Sequence, residues 1–344
     1  MWFKNKPCAV VCVGSVSKDI FFPTDEAIIL KTPEDITAKE KIAFELGGKY
    51  KVADRYEAVG GVAANVATGL TRLGHRVACY SQVGGDEIGR YILEELKKEN
   101  VATETLSVDD KVKSDLSAII VVTQSGERTI FHNRDANEKL RVEESRLPET
   151  EWLFVSALNG EWKKNMDTLL ALKEKRGLKL AINPGQHNIK SDPEYMLEVI
   201  SRADLLLLNK DEAIELLLHS PEQKQKAGES LENERFLLST LHSHGAKVIG
   251  LTDGKRGAWA TDGKEYWHGA IYMPQGLVDT TGAGDGFGSG FFAAHLSEKS
   301  IKESLSYGIA NGGSVVGYYG ASEGLLTPET METVLQMISP LRLS

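Results

Sequence analysis

Cysteine is scarce in this chain, and the placement of the three present excludes two architectures. Cys8, Cys12 and Cys79 make neither a disulfide framework nor a zinc-ligand spacing. Each lies in an apolar, strand-like segment, so all three read as buried reduced thiols. None of the eight histidines falls in an H-x-x-x-H or His/Cys cluster, which argues against a catalytic zinc. Basic charge is in deficit, with 40 lysines and arginines against 49 aspartates and glutamates and a formal net charge of −9. With no Lys/Arg run to offset it, that balance argues against a nucleic-acid partner. Long hydrophobic runs are missing as well. The apolar stretch from residue 8 is broken by Gly14-Ser15 and Lys18-Asp19, too early for a membrane span. It reads as a first strand over 8–16, not as a signal sequence. The expectation is a cytoplasmic protein without a membrane partner. No internal repeat or low-complexity tract is visible, and 220–235 reads as a charged surface excursion.

What is present is an ordinary globular balance, 41% hydrophobic and 26% charged over 344 residues, enough for one large domain with an accessory. Strand and helix patterns alternate. A helix over 62–73 carries Val62, Ala63, Val66, Ala67, Leu70 and Leu73 on one face and stops at Gly74. Strand 76–83 and helix 87–99 follow, then strand 152–158, helix 162–175, strand 178–183, helix 192–201, strand 205–209 and helix 211–218. A helix at 230–243 leads into strand 247–252. This alternation predicts an α/β fold with a doubly wound, mostly parallel sheet and ligands at the carboxyl ends of its strands.

Two stretches interrupt the pattern. Residues 20–58 are too long for an ordinary strand-to-helix connection, and 114–133 read as a hairpin turning at Ser125-Gly126-Glu127. Together they suggest a small β lid over 20–58 and 114–133. The large α/β domain would then comprise 1–19, 59–113 and 134–344.

Chemistry concentrates at Asp279-Thr280-Thr281-Gly282-Ala283-Gly284-Asp285-Gly286-Phe287. Small residues entering a helix expose consecutive amides that suit phosphate oxygens. Asp285 is placed to take a proton from a hydroxyl attacking a phosphoryl group. The simpler alternative is a capped helix, with Thr280 or Thr281 as N-cap and Asp285 favoured by the helix dipole. Capping does not explain Gly282, Gly284, Gly286, Gly288 and Gly290, since glycine inside a helix costs about 1 kcal/mol relative to alanine. Their abundance suggests close approach of a ligand to this backbone.

Elsewhere, Gly60-Gly61 precede the helix over 62–73 and permit close backbone approach by a ligand, while Asn65 in that helix can both donate to and accept from hydroxyls. Asn209 and Glu212, three apart at a helix start, suit water-mediated contact with Mg²⁺, but their spacing is equally that of a capping box. Asn183-Pro184-Gly185 closes another strand, and Thr252-Asp253-Gly254-Lys255-Arg256-Gly257 is a glycine-rich turn after a third.

The D-T-x-G-A-G-D pattern at 279–285 resembles that of the ribokinase-like (PfkB) sugar kinases, and Gly60-Gly61…Asn65 resembles their N-terminal signature. The resemblance implies an ATP- and Mg²⁺-dependent kinase of a small polyhydroxylated substrate, with a β lid that in this family often pairs across a homodimer. Asp285 would be the general base, and Gly282, Ala283 and Gly284 the anion hole. Asp19, Gly60, Gly61 and Asn65 would hold the sugar; Ser17 stands where ribokinases commonly have asparagine. Asn183, Asn209, Glu212, Thr252, Gly254, Gly257 and Asn311 would serve the nucleotide and its Mg²⁺, Glu212 acting through water. Asp279 and Thr281 match positions that bind a monovalent cation in many relatives, so K⁺ activation is compatible with them. Arg134 matches an arginine of relatives acting on acidic sugars, but their second arginine is absent from Gly185-Gln186-His187. A nucleoside kinase is the alternative within the family, and a catalytically silent sugar-binding protein the alternative outside it.

Overall fold

The first strand is apolar on both faces because both faces are covered. Within Cys8–Val13 every side chain but Ala9 is buried. It pairs in parallel with Thr150–Val155 on one side and Val77–Tyr80 on the other. Beyond Thr150–Val155 the sheet continues in parallel through Lys179–Ile182, Leu205–Asn209 and Val248–Thr252. Three antiparallel strands complete a nine-stranded sheet, Ala258–Thr261, Tyr266–Gly269 and Leu341–Arg342. These were not anticipated from the sequence, because each is short and lacks a helix to mark a crossover. The computed structural model describes residues 7–32, 40–52, 54–218, 229–273 and 276–343. Residues 219–228, most of the expected excursion at 220–235, lie outside them.

Two hydrophobic cores sandwich the sheet. One face is covered by helices Val62–Arg72, Glu87–Lys98, Ala283–Leu296 and Ile301–Val315. The other carries Trp162–Arg176, Pro193–Ser201, Lys210–Leu218 and Glu234–Ser243. Parallel strands reached through crossover helices on both faces are the doubly wound arrangement the alternation predicts. A short helix, Gln186–Ser191, was missed in the sequence between Asn183 and Asp192.

A second, four-stranded sheet has the order Arg128–Asn133, Leu116–Val122, Ser17–Thr24, Tyr56–Gly60. Its apolar core is small, Phe21, Ala58, Ile119 and Val121 packed with Tyr319. The expected boundaries need correction here. Pairing of Ser17 with Gly60 and of Asp19 with Ala58 places Asp19, Gly60 and their neighbours on this sheet, not at the end of the first strand. The second sheet therefore carries part of the site on its own backbone.

Candidate active site

The site lies at the carboxyl ends of the parallel strands, where helix Ala283–Leu296 begins. Gly282 occupies the N-cap position at φ 78°, ψ −1°, and no side chain caps this end. Thr280 and Thr281 are otherwise engaged, which removes the capping alternative. The Thr281 amide and hydroxyl donate to Asp279 Oδ1 at 3.0 and 2.8 Å, and Thr280 Oγ1 accepts from Arg128 Nη1. A Cβ on Gly282 would lie 2.2 Å from that of Ala321, in a left-handed conformation that already favours glycine. Gly284 is different: a Cβ there would meet only open space. Thr280, Ala283 and Gly284 line a cavity of about 520 Å³. First-turn amides of an uncapped helix are directed out of its N-terminus; here that of Ala283 makes only a long bond, 3.4 Å, to the Thr280 carbonyl.

The later glycines serve another purpose than the sequence suggested. A Cβ on Gly286 would come within 3.1 Å of the Val315 side chain, and one on Gly290 within 2.4 Å of the Tyr307 carbonyl oxygen. What approaches closely there is the helix Ile301–Val315. Gly288 has only an ordinary contact with Leu207, at 3.4 Å.

Asp285 is half-buried in the first turn of its helix, and its Oδ2 accepts from Asn65 Nδ2 at 2.7 Å. Burial pushes its carboxyl up to about 6, with the charge of Asp19 acting in the same direction. The Asn65 hydrogen bond and the positive charge of Arg128 oppose that rise. Asp19 is buried, with Oδ1 accepting from Ser17 Oγ at 2.8 Å. Its carboxyl is likewise raised, chiefly by burial and also by Asp279, against hydrogen bonds from Ser117 and Ser17 and the charge of Arg134.

Gly60 and Gly61 answer to their own chain. A Cβ on Gly60 would lie 2.0 Å from Asp19 Oδ2, and one on Gly61 2.4 Å from the Ser15 carbonyl oxygen. Gly61, at φ 92°, also takes a conformation that side chains rarely adopt. These glycines make room for Asp19 and for the entry of helix Val62–Arg72; the ligand approach expected from sequence is not what requires them.

On the far side of the cavity, Thr252, Gly254 and Gly257 contribute to its lining together with Lys255 and apolar Tyr272 and Ile309. Asn183, Asn209 and Glu212 stand outside that lining. Asn183 Nδ2 donates to the Leu207 carbonyl at 3.0 Å, tying neighbouring strand ends together. Asn209 and Glu212 form the reciprocal capping box, with Glu212 N to Asn209 Oδ1 at 2.8 Å and Asn209 N to Glu212 Oε2 at 3.0 Å. Burial pushes the Glu212 carboxyl up to about 7, against the lowering effect of that backbone bond, and the charge of Asp285 raises it further. The charge of Asp285 thus reaches Glu212.

Asn311 is a correction. It is fully buried, its Nδ2 donates to Gly286 O and Ser289 Oγ at 3.0 Å each, and its Oδ1 accepts from Leu326 N at 2.9 Å. With its amide occupied by protein it has nothing to offer a nucleotide. Its neighbours Gly308, Ile309, Gly312 and Gly313 line the cavity instead. Asp279 is also buried, at 0% exposure, but both Thr281 donors go to its Oδ1, and Oδ2 has only the Gly320 amide, 3.5 Å away. No group of three or more His, Cys, Asp or Glu side chains among the described residues is arranged to hold a metal by itself. Sequence reasoning overlooked Arg128, whose only signal was its position just after the hairpin turn.

A doubly wound sheet with a second sheet over its strand ends, and a cavity running to an uncapped glycine turn, is the architecture of a sugar or nucleoside kinase. The ribokinase of Cryptococcus neoformans var. grubii serotype A in complex with ADP superposes with a TM-score of 0.73 at 23% identity, covering 95% of this chain and 99% of that one. The profile of the pfkB family carbohydrate kinase matches residues 9–328, and the chain belongs to that family. Among its relatives, the ribokinase of Haemophilus influenzae is 28% identical over 303 residues, 84% of this chain and 92% of that protein. The fructokinase of Salmonella typhimurium is 28% identical over 242 residues, 68% of this chain and 76% of that protein.

Proposed function

We propose that this carbohydrate kinase transfers the γ-phosphoryl group of ATP to a primary hydroxyl of a ribose- or fructose-like sugar, with Asp285 as general base. The observation that carries this reading is the hydrogen bond from Asn65 to Asp285 beside the open glycine turn, with Asp19 near enough for its charge to raise the Asp285 carboxyl. Asp19 and Asn65 hold sugar hydroxyls, the carboxylate accepting O–H donors and the amide setting direction. As the hydroxyl oxygen attacks the γ-phosphorus, its proton passes to an Asp285 oxygen. The bond to the β,γ-bridging oxygen breaks and ADP leaves. Amides of Gly282, Ala283 and Gly284 stabilise charge on the phosphoryl group in transit, where preorganised dipoles act most strongly. The second sheet excludes water from the transfer.

Mg²⁺ bound with the nucleotide would neutralise phosphate charge. The residues fit a metal held mainly by phosphate and water, Glu212 Oε1 being left over from the capping box. Asp279 fits a monovalent cation such as K⁺, since it is a wholly buried carboxylate with no basic partner among the described residues. Thr281 beside it supplies a hydroxyl oxygen.

In the second sheet Phe131 is exposed at 64%, and on a separate two-stranded sheet, Ile28–Lys31 paired with Glu40–Ala43, Ile28 and Leu30 are exposed at 50 and 47%. Large apolar groups at such exposure are compatible with a homodimer formed through these strands. A coupled ADP-release assay over a panel of sugars and nucleosides tests the activity. Turnover with ribose, fructose or a close relative supports it, preference for a nucleoside moves the acceptor class, and ADP release with none defeats it.

A further inference from the structure

A buried lysine has no part in the site described so far. Lys210 is the first residue of the helix Lys210–Leu218 and is 6% exposed. Its ammonium therefore sits at the positive end of a helix dipole and out of water, both unfavourable for a cation. Three carboxylates compensate. Nζ lies 2.9 Å from Glu234 Oε1, 3.3 Å from Glu232 Oε2 and 3.7 Å from Asp253 Oδ2, and donates to the Glu232 carbonyl at 3.0 Å. The Glu232 carboxylate is mostly exposed and adds little. Glu234 and Asp253 are more informative, because Arg256 meets both, Nη2 pairing with Glu234 Oε1 and Nη1 lying 3.3 Å from Asp253 Oδ2. Asp253 and Arg256 belong to the turn 252–257, closed by the Asp253 amide donating to the Gly257 carbonyl at 2.9 Å. Thr252, Gly254, Lys255 and Gly257 of that turn line the cavity. Asp253 Oδ2 is buried and accepts no hydrogen bond, so among the described residues Lys210 and Arg256 alone balance it.

We infer that Lys210 is a positioning residue for the donor nucleotide, acting through Asp253 to hold the turn 252–257 in the shape that lines the cavity. Apolar side chains in place of the whole network would serve the fold as well. What the charges add is a hold on one turn from a neighbouring helix, with Glu234 keeping the two cations together. Without Lys210, one cation is left for two largely buried carboxylates, and Asp253 has no hydrogen bond to keep it in place. Any shift of Asp253 is passed to Gly254, the next residue, whose φ of 45° belongs to the left-handed region. Asp19 and Asn65 lie on other elements, the strand Ser17–Thr24 and the helix Val62–Arg72, so the loss falls on the nucleotide and not on the acceptor. The inference rests on the kinase reading above.

The test compares wild type with Lys210→Met, Asp253→Asn, the two combined, and Lys173→Met. Lys173 pairs with Asp204 at 3.3 Å, just before the strand Leu205–Asn209 that Lys210 follows, so it reports the loss of an ion pair at the opposite end of one strand. Calorimetry gives the Kd of MgADP, and steady-state turnover gives KM for ATP and for an acceptor the wild type phosphorylates, all well below each variant's Tm. In Lys210→Met the MgADP Kd and the ATP KM should rise about tenfold, with acceptor KM and saturated kcat within about threefold of wild type. In the Asp253→Asn background, Lys210→Met should cost less than about threefold, since the charge it balances is gone. Lys173→Met should lower Tm and leave the MgADP Kd unchanged. A rise of less than about threefold in Lys210→Met, equal losses for ATP and acceptor, additive effects in the double variant, or the same rise in Lys173→Met would overturn the assignment. If Lys210→Met does not fold by circular dichroism, Asp253→Asn decides: weaker MgADP with an unchanged acceptor KM upholds the role, and unchanged MgADP affinity or equal losses end it. Failure of the wild type to release ADP with any acceptor defeats the kinase reading instead and leaves the MgADP comparison standing, so the two failures are distinct.

Discussion

Asn65 and Asp285, 220 residues apart, meet through a 2.7 Å hydrogen bond from Nδ2 to Oδ2. The bond joins the first turn of one helix to the first turn of another, so both helix starts share a fixed geometry at the strand ends. It leaves Asp285 Oδ1 without a protein donor among the described residues, so that oxygen is open to accept a proton.

Replacing Asp285 by Asn removes the proton acceptor while keeping the shape and an oxygen for Asn65. Turnover should fall about 10²–10⁴-fold or more, with MgADP affinity and the circular dichroism spectrum unchanged. Near-wild-type activity would remove the general-base assignment.

The pH dependence follows from the same group. With its carboxyl at about 6, kcat/KM should rise as pH increases through that value and level off above it. Stability runs the other way. A carboxyl whose folded pKa lies above its ordinary 3.8 holds more protons folded than unfolded between the two values, so stability falls as pH rises across that window. Asp285→Asn removes this cost. Its Tm should exceed that of wild type at neutral pH, with the gap closing near pH 4; a gap independent of pH would contradict the assignment.

Asp19→Ala should raise the acceptor KM far more than that of ATP, since it removes acceptors for sugar hydroxyls only. Equal losses for both ligands, with the fold intact, would count against the role.

Gly60→Ala offers a subtler probe. Its methyl would displace the Asp19 carboxylate, 2.0 Å from the new carbon, without altering either reacting group. Acceptor affinity should fall as in Asp19→Ala while ATP affinity holds, and a crystal structure of the variant should show a rotated Asp19. An unmoved carboxylate with normal affinity would refute the account of this glycine.

The second sheet should respond to the acceptor. Its own core is only Phe21, Ala58, Ile119 and Val121 with Tyr319, so it opens at low cost. Amide exchange over 17–24, 56–60 and 116–133 should slow when the acceptor binds, and much less with an ATP analogue alone. Uniform protection along the chain, or none in these segments at saturation, would sink the idea of closure.

Periodicity alone located most of the frame. The run Leu205–Asn209 and the helix Val62–Arg72 with its Gly74 stop were legible because burial on one or both faces imposes a pattern on neighbouring residues. The motif at 279–285 was legible for a similar reason, its glycine, acid and small residues being local requirements of a single turn. Asn209 with Glu212 could not be resolved by spacing, since a capping box and a metal-facing pair share it.

What sequence by itself determined is therefore the α/β alternation, the interrupting strands and the presence of a phosphate-suited turn, all products of short-range stereochemistry and face-by-face burial. The tertiary structure alone decided which distant side chains meet. It turned Asn311 inward to three protein partners and assigned Gly286 and Gly290 to the packing of a neighbouring helix. It also placed Asp19 on the second sheet and brought Arg128 to Thr280. These contacts join residues tens to hundreds of positions apart. No local pattern records them, because they are set by how helices and sheets stack and by what each side chain finds when they do.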